Sequence, residues 1–134
     1  MLQTTGCQGI AIGRGSLFNP WIFSHLQRFE ETGDPGRSPT YAQRLELMAR
    51  HFERLAELQT PRFACLSFRK VANWYCKALK IGRENQQRLV RIDSADHFHA
   101  IVEELRQTPQ YHSDEEWSLG DHSIRVPSGP ISHW

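Results

Sequence analysis

Between Arg62 and Arg83 this 134-residue chain carries six basic side chains and no acidic one. Arg62, Arg69, Lys70, Lys77, Lys80 and Arg83 are the residues concerned, and the whole chain has a net charge of only +1. If residues 61–79 form a helix, a projection at 100° per residue gathers Arg62, Arg69, Lys70, Asn73, Lys77 and Lys80 within an arc of roughly 100°. The same projection assigns Phe63, Val71, Trp74, Tyr75, Ala78 and Leu79 to the other, core-facing side. A solvated helix face usually intersperses acids among its bases, so that pairs three or four residues apart relieve repulsion. Here no such relief exists within the helix. The stripe is either a solvated face or a contact for a phosphate backbone, and the second reading carries a signature in its salt dependence.

A second candidate is Gly13-Arg14-Gly15, which ends the apolar run Gly9-Ile10-Ala11-Ile12. A strand that ends in glycines before a turn can aim backbone N–H groups into a concavity that suits a phosphate. By itself the tripeptide equally describes a tight turn. The remaining reactive side chains point to less. Cys7, Cys65 and Cys76 are odd in number and match neither a zinc knuckle nor a disulfide framework, so they are read as reduced, with Cys65 and Cys76 as small packing residues. His97 and His99 are two apart and cannot pinch a metal from one helix, and no metal site is expected. Glu103-Glu104 and Asp114-Glu115-Glu116 are read as solvated carboxylates, and Trp21, Trp74 and Tyr75 as core aromatics rather than base-stacking ones.

The elements that must position these residues follow from punctuation and periodicity. With 39% hydrophobic residues the chain can fill one modest core. An eight-stranded β/α barrel, at about 200 residues or more, is beyond it. Residues 9–12 read as a strand buried on both faces, which needs neighbours that the rest of the chain does not offer. Asn19-Pro20 should cap and open a helix with Trp21, Ile22, Leu26 and Phe29 on its apolar stripe and Gly33 at its end. Asp34-Pro35-Gly36 is a turn, and Pro39 marks a boundary. Thr40 and Gln43 have the spacing of a capping box ahead of a helix reaching about Leu58. Thr60-Pro61 should open the cationic helix, which runs to about Leu79, before Gly82. A short helical stretch is expected over residues 86–90, and Asp93 or Ser94 should cap a last helix bearing Phe98, Ile101, Val102 and Leu105. Beyond Arg106 the polar, proline-containing remainder is expected to be a mobile tail. There is no membrane-length apolar run and no signal-peptide pattern, so a soluble intracellular protein is expected.

The stretch Thr5-Gly6-Cys7-Gln8-Gly9-Ile10-Ala11-Ile12-Gly13-Arg14-Gly15, followed by Asn19-Pro20-Trp21-Ile22-Phe23, resembles the last barrel strand and following helix of the tRNA-dihydrouridine synthases. Downstream, Phe68-Arg69-Lys70-Val71-Ala72-Asn73-Trp74-Tyr75 resembles the Arg-Lys...Trp-Tyr helix of that family's carboxyl-terminal helical domain, and the resemblance spans roughly residues 3–105. It implies a mainly α chain: a helical bundle preceded by the last βα unit of a TIM-type barrel. Residues 1–33 would be the barrel remnant, 40–106 the helical tRNA-binding domain and 107–134 the tail. The family reduces the C5=C6 bond of uridines in tRNA with FMN, and NADPH recharges the flavin. Carried over by position, Gly13 and Arg14 would serve the flavin phosphate. Arg69 and Lys70 would contact tRNA, while Arg62, Lys77, Lys80 and Arg83 rest on the projection. The family's catalytic cysteine belongs to an earlier barrel loop that this chain lacks, so none of the three cysteines inherits that role. Gln8 stands where the family commonly has an acid.

The resemblance thus implies a cytoplasmic, carboxyl-terminal part of such an enzyme, inactive alone and not expected to bind FMN by itself, with a separate chain as one candidate source of the rest of the barrel. Two alternatives stay open. One is an autonomous RNA-binding helical module, and the other is a decayed remnant or protein-interaction bundle.

Overall fold

The computed structural model describes residues 2–13 and 15–108. The elements are α1 (Leu2–Thr5), α2 (Gly15–Phe18), α3 (Ile22–Thr32), α4 (Tyr41–Leu58), α5 (Pro61–Leu79), α6 (Gly82–Leu89) and α7 (Ala95–Gln107). The described residues fall into two compact units that meet between Gly36 and Arg37. The expected tail lies outside the described residues from position 109 on.

In the first unit the expected strand at residues 9–12 does not form, and there is no strand among the described residues. The reason is pairing. A parallel strand takes its hydrogen bonds from neighbours, and a lone apolar run has none to take. Ile10 is instead exposed. The cap of α3 also differs from expectation. Asn19 N–H donates to Gly15 O at 3.0 Å, so Asn19 closes the α2 turn, and α3 begins only at Ile22 after Trp21. Asn19 is buried, and its Oδ1 accepts no hydrogen bond among the described residues. The other end follows expectation: Gly33 adopts φ 76° and its N–H bonds Phe29 O at 2.8 Å. No residue of α3 is buried, and Phe23, Leu26 and Phe29 leave its apolar stripe exposed.

The second unit holds the core. Thr40 Oγ1 accepts from Gln43 N at 3.2 Å while Gln43 Oε1 accepts from Thr40 N at 2.9 Å, the reciprocal capping box that starts α4. Pro61 opens α5 at its first turn, although Thr60 gives it no side-chain cap. The helix α6 starts four residues before the expected position, at Gly82, and Ser94 caps α7 by accepting from His97 N at 3.2 Å. Only two residues separate α4 from α5, and Arg44 near the start of α4 meets Ala78 near the end of α5. The two therefore pack antiparallel. Phe52 of α4, Phe68 of α5 and Phe98 of α7 close the centre, with Phe52 and Phe98 stacked at 4.0 Å and Phe68 edge-on to both.

Polar groups pin this core at its ends. Arg44 is buried, and its guanidinium donates to Pro39 O at 2.9 and 2.7 Å and to Ala78 O at 2.9 Å. The Tyr41 hydroxyl donates to Leu105 O at 3.2 Å, and Arg88 pairs with Glu104 at 2.7 Å to tie α6 to α7. Cys65 and Cys76 lie in the core as expected of packing residues, and burial pushes the Cys76 thiol up to about 12. A thiol so disposed is a poor nucleophile.

Candidate nucleic-acid interface

The buried arc of α5 is Ala64, Cys65, Phe68, Ala72, Cys76, Ala78 and Leu79. Opposite it stand Arg62, Phe63, Leu66, Lys70, Asn73 and Lys77, all exposed. The expected position of Phe63 on the core side is therefore corrected. Seven residues separate Phe63 from Lys70, so the helical turn leaves them only about 20° apart, and whatever exposes one exposes the other. Phe63 is 61% exposed and Leu66 39%, and Leu58 at the preceding corner is 80% exposed.

The six basic residues separate into three groups. Arg62, Lys70 and Lys77 share the outward face of α5, and Lys80 and Arg83 continue it as exposed residues at the end of α5 and the start of α6. Among the described residues the side chain of none of these five makes a hydrogen bond or ion pair, in contrast to Arg28, Arg54, Arg88 and Arg106, each of which has a carboxylate partner. Arg69 is different. It sits at the border of the core, its Nε donates to Ile92 O at 2.8 Å, and Nη2 reaches the carbonyls of Ile92 and Arg91. Its guanidinium clamps the α6–α7 connection onto α5. Asn73 is likewise occupied, accepting from Gln86 Nε2 at 2.9 Å.

Gly13 is exposed, a Cβ placed on it would meet nothing within 4 Å, and its carbonyl accepts from Ser16 N at 3.0 Å and Ser16 Oγ at 2.8 Å. This is an open turn, and the described residues around it form no walls that could cover a flavin ring. Arg14 lies outside the described residues. His97 pairs with Asp93 at 3.1 Å, His99 sets its ring against Phe52 and Phe98, and no three potential metal ligands converge among the described residues. No helix among the described residues is long and apolar enough to cross a membrane.

One pair escaped the sequence reading. His51 Nδ1 and the Tyr75 hydroxyl are 2.9 Å apart between α4 and α5, with the His51 ring edge-on to Phe68. Burial pushes the Tyr75 phenol up to about 12 and holds the His51 imidazole below its ordinary 6.5. The only hint in the sequence is that His51 directly precedes core Phe52. For stability the sign is fixed by linkage: as pH falls below 6.5 the unfolded chain binds the His51 proton before the folded one does. Stability should fall as pH drops through 6.5 and level off once the folded state is protonated too. Urea unfolding midpoints across that range should show the decline, and His51→Gln should flatten it. The carboxylates held below their ordinary values, Asp34, Asp93 and Glu104, act in a separate, more acid window.

The profile of the family described as Dihydrouridine synthase (Dus) matches residues 1–110. A probable tRNA-dihydrouridine synthase of Mycobacterium tuberculosis is 30% identical over 109 residues, which is 81% of this chain and 28% of that protein. The probable tRNA-dihydrouridine synthase 1 of Synechocystis is 28% identical over 107 residues, 80% of this chain and 30% of its relative. A counterpart in Rickettsia conorii is 30% identical over 78 residues, 58% of this chain and 24% of that protein. The chain thus spans between a quarter and a third of the length of these curated relatives. Since the family profile covers most of the chain and takes in every helix of both units, the chain belongs to the dihydrouridine synthase family.

Proposed function

We propose that this chain is the carboxyl-terminal part of a tRNA-dihydrouridine synthase and that its helical unit, residues 40–106, holds the tRNA. The observation that carries this reading is the outward face of α5, where Arg62, Lys70 and Lys77 stand without partners among the described residues and Lys80 and Arg83 extend the same charge. Three cations on one face of α5, with two more at the turn into α6, repel one another, and a polyanion relieves that repulsion while releasing its counterions. Family membership supports tRNA as the polyanion. Arg69 enters the tRNA site as the residue that positions α6 and α7 beside this face, and Lys70, its neighbour in the motif, supplies the free charge.

Residues 1–33 correspond in this reading to the last βα unit of the barrel. The exposed stripe of Phe23, Leu26 and Phe29 is the surface on which the remaining barrel would sit. Gly13 and Arg14 are assigned to the phosphate of FMN. The residues present do not enclose the flavin, because the turn at Gly13 is open, so the chain alone is expected to bind none. Reduction of uridine with NADPH as the ultimate electron source belongs to the assembled enzyme, and the catalytic residue is not in this chain. A cytoplasmic location follows from the substrate.

The test is a titration of the 134-residue chain with a tRNA transcript at about 50 and 200 mM salt. Five phosphate contacts would give a slope of log K against log salt of about −4.5, at about −0.9 per contact on double-stranded segments. Affinity that is absent at low salt, or insensitive to salt, would sink the reading.

A further inference from the structure

The corner between α4 and α5 carries an apolar patch that the phosphate contacts do not explain. Leu58 is 80% exposed, Phe63 61% and Leu66 39%. Phe63 and Leu66 are one turn apart on α5, and Leu58 ends α4 four residues before Arg62. Unlike the Phe52–Phe68–Phe98 centre, this patch stays largely open to solvent. Its border is cationic. Arg62 is adjacent in sequence, and Lys70 follows Leu66 by four residues on the same face, while the nearest acid, Glu57, is already paired with Arg54 at 2.7 Å. At one edge the Ser67 hydroxyl donates to Gln59 Oε1 at 2.9 Å, which fixes that side chain and leaves its amide nitrogen without a partner among the described residues.

We propose that Phe63 is a stacking platform for an unpaired base of the bound RNA, with Leu58 and Leu66 flanking the ring and Arg62 and Lys70 holding the adjoining phosphates. The inference rests on the tRNA-binding reading and adds to it a residue whose contact is with a base. Charge decides between occupants. A second copy of this chain would bring Arg62 and Lys70 against like charges across a two-fold interface, whereas a nucleotide presents a flat apolar base beside a negative phosphate. A ring set among cations is the arrangement that binds single-stranded nucleic acid, since every base offers a π-face. A continuous duplex keeps its bases stacked on each other and offers no such face, so the contact selects unpaired nucleotides.

The experiment compares the full chain with Phe63→Ala, Phe63→Leu and Phe63→Trp, titrated with a tRNA transcript and with a fully paired RNA duplex. Phe63 is exposed, so none of the three should alter folding, and unfolding midpoints check this. Phe63→Ala and Phe63→Leu should weaken tRNA binding by roughly 5- to 100-fold with the salt slope and duplex affinity unchanged. Phe63→Trp should retain the affinity, and its added fluorescence should be quenched by tRNA but not by the duplex. Wild-type binding with a normal salt slope that Phe63→Ala leaves intact overturns this inference alone. Self-association that Phe63→Ala abolishes, with tRNA affinity unchanged, also overturns it and assigns the patch to a second copy. Absence of salt-dependent binding by the wild-type chain overturns the tRNA reading on which it rests.

Discussion

Replacing Phe68 with alanine is expected to destabilise the helical unit by about 3–5 kcal/mol, the usual cost of deleting a buried aromatic ring. Phe68 is fully buried, edge-on to Phe98 at 4.9 Å and to Phe52 at 5.6 Å, and parallel to Tyr75 at 5.9 Å. Three of the unit's helices lose contacts at once, because the ring is where α4, α5 and α7 meet. The walls cannot collapse onto the space, since Phe52 and Phe98 are already stacked on each other. A unit of this size is stable by only about 5–10 kcal/mol. The variant should therefore melt about 15 °C or more below the parent. Phe68→Leu, which refills much of the volume, should recover over half of the loss. Thermal unfolding followed by circular dichroism checks both, and a loss below about 1 kcal/mol for Phe68→Ala would contradict the packing.

Arg69 and Lys70 are adjacent in the family motif but should respond oppositely to removal. Arg69→Ala strips the donors from Ile92 O, and Ile92 is fully buried, so the carbonyl cannot turn to water without moving the α6–α7 connection. The expected cost is about 2–4 kcal/mol, from a charge-assisted bond lost and a buried acceptor left unpaired. Amide exchange should speed first at the start of α7, ahead of α4. Lys70→Ala removes an exposed side chain without a partner among the described residues and should change stability by no more than about 0.5 kcal/mol. It should instead reduce the salt slope of tRNA binding by about one phosphate contact. If Arg69→Ala proves as stable as the parent, or Lys70→Ala leaves the slope unchanged, the division of labour drawn here is wrong.

This division bears on the double variant that the motif alone would suggest. Removing Arg69 and Lys70 together confounds unfolding with lost charge, and weaker binding would then say little about contact. Lys70 with Lys77 is the cleaner pair, since both are exposed on α5 and neither holds the fold.

What the sequence determined by itself is local. The capping box at Thr40 and Gln43, the proline that opens α5, the left-handed Gly33 and the Ser94 cap depend on neighbours within a few residues, and backbone and side-chain chemistry at that range is written directly in the chain. The absence of acids between Arg62 and Arg83 is legible in the same way, as is the pairing of motifs that carries the family. What only the tertiary structure decided is where the edge of the core falls. On α5 Phe63, left outside, and Phe68, fully buried, lie about 140° apart around the axis, and where the edge of the core falls between them is set by how α4 and α7 pack against the helix. The same packing brings the carbonyl of Ile92 to Arg69, 23 residues away, and the Tyr75 hydroxyl to His51. The run at residues 9–12 failed as a strand for the complementary reason: its hydrogen bonds would have to come from other strands, and no local propensity substitutes for a missing neighbour.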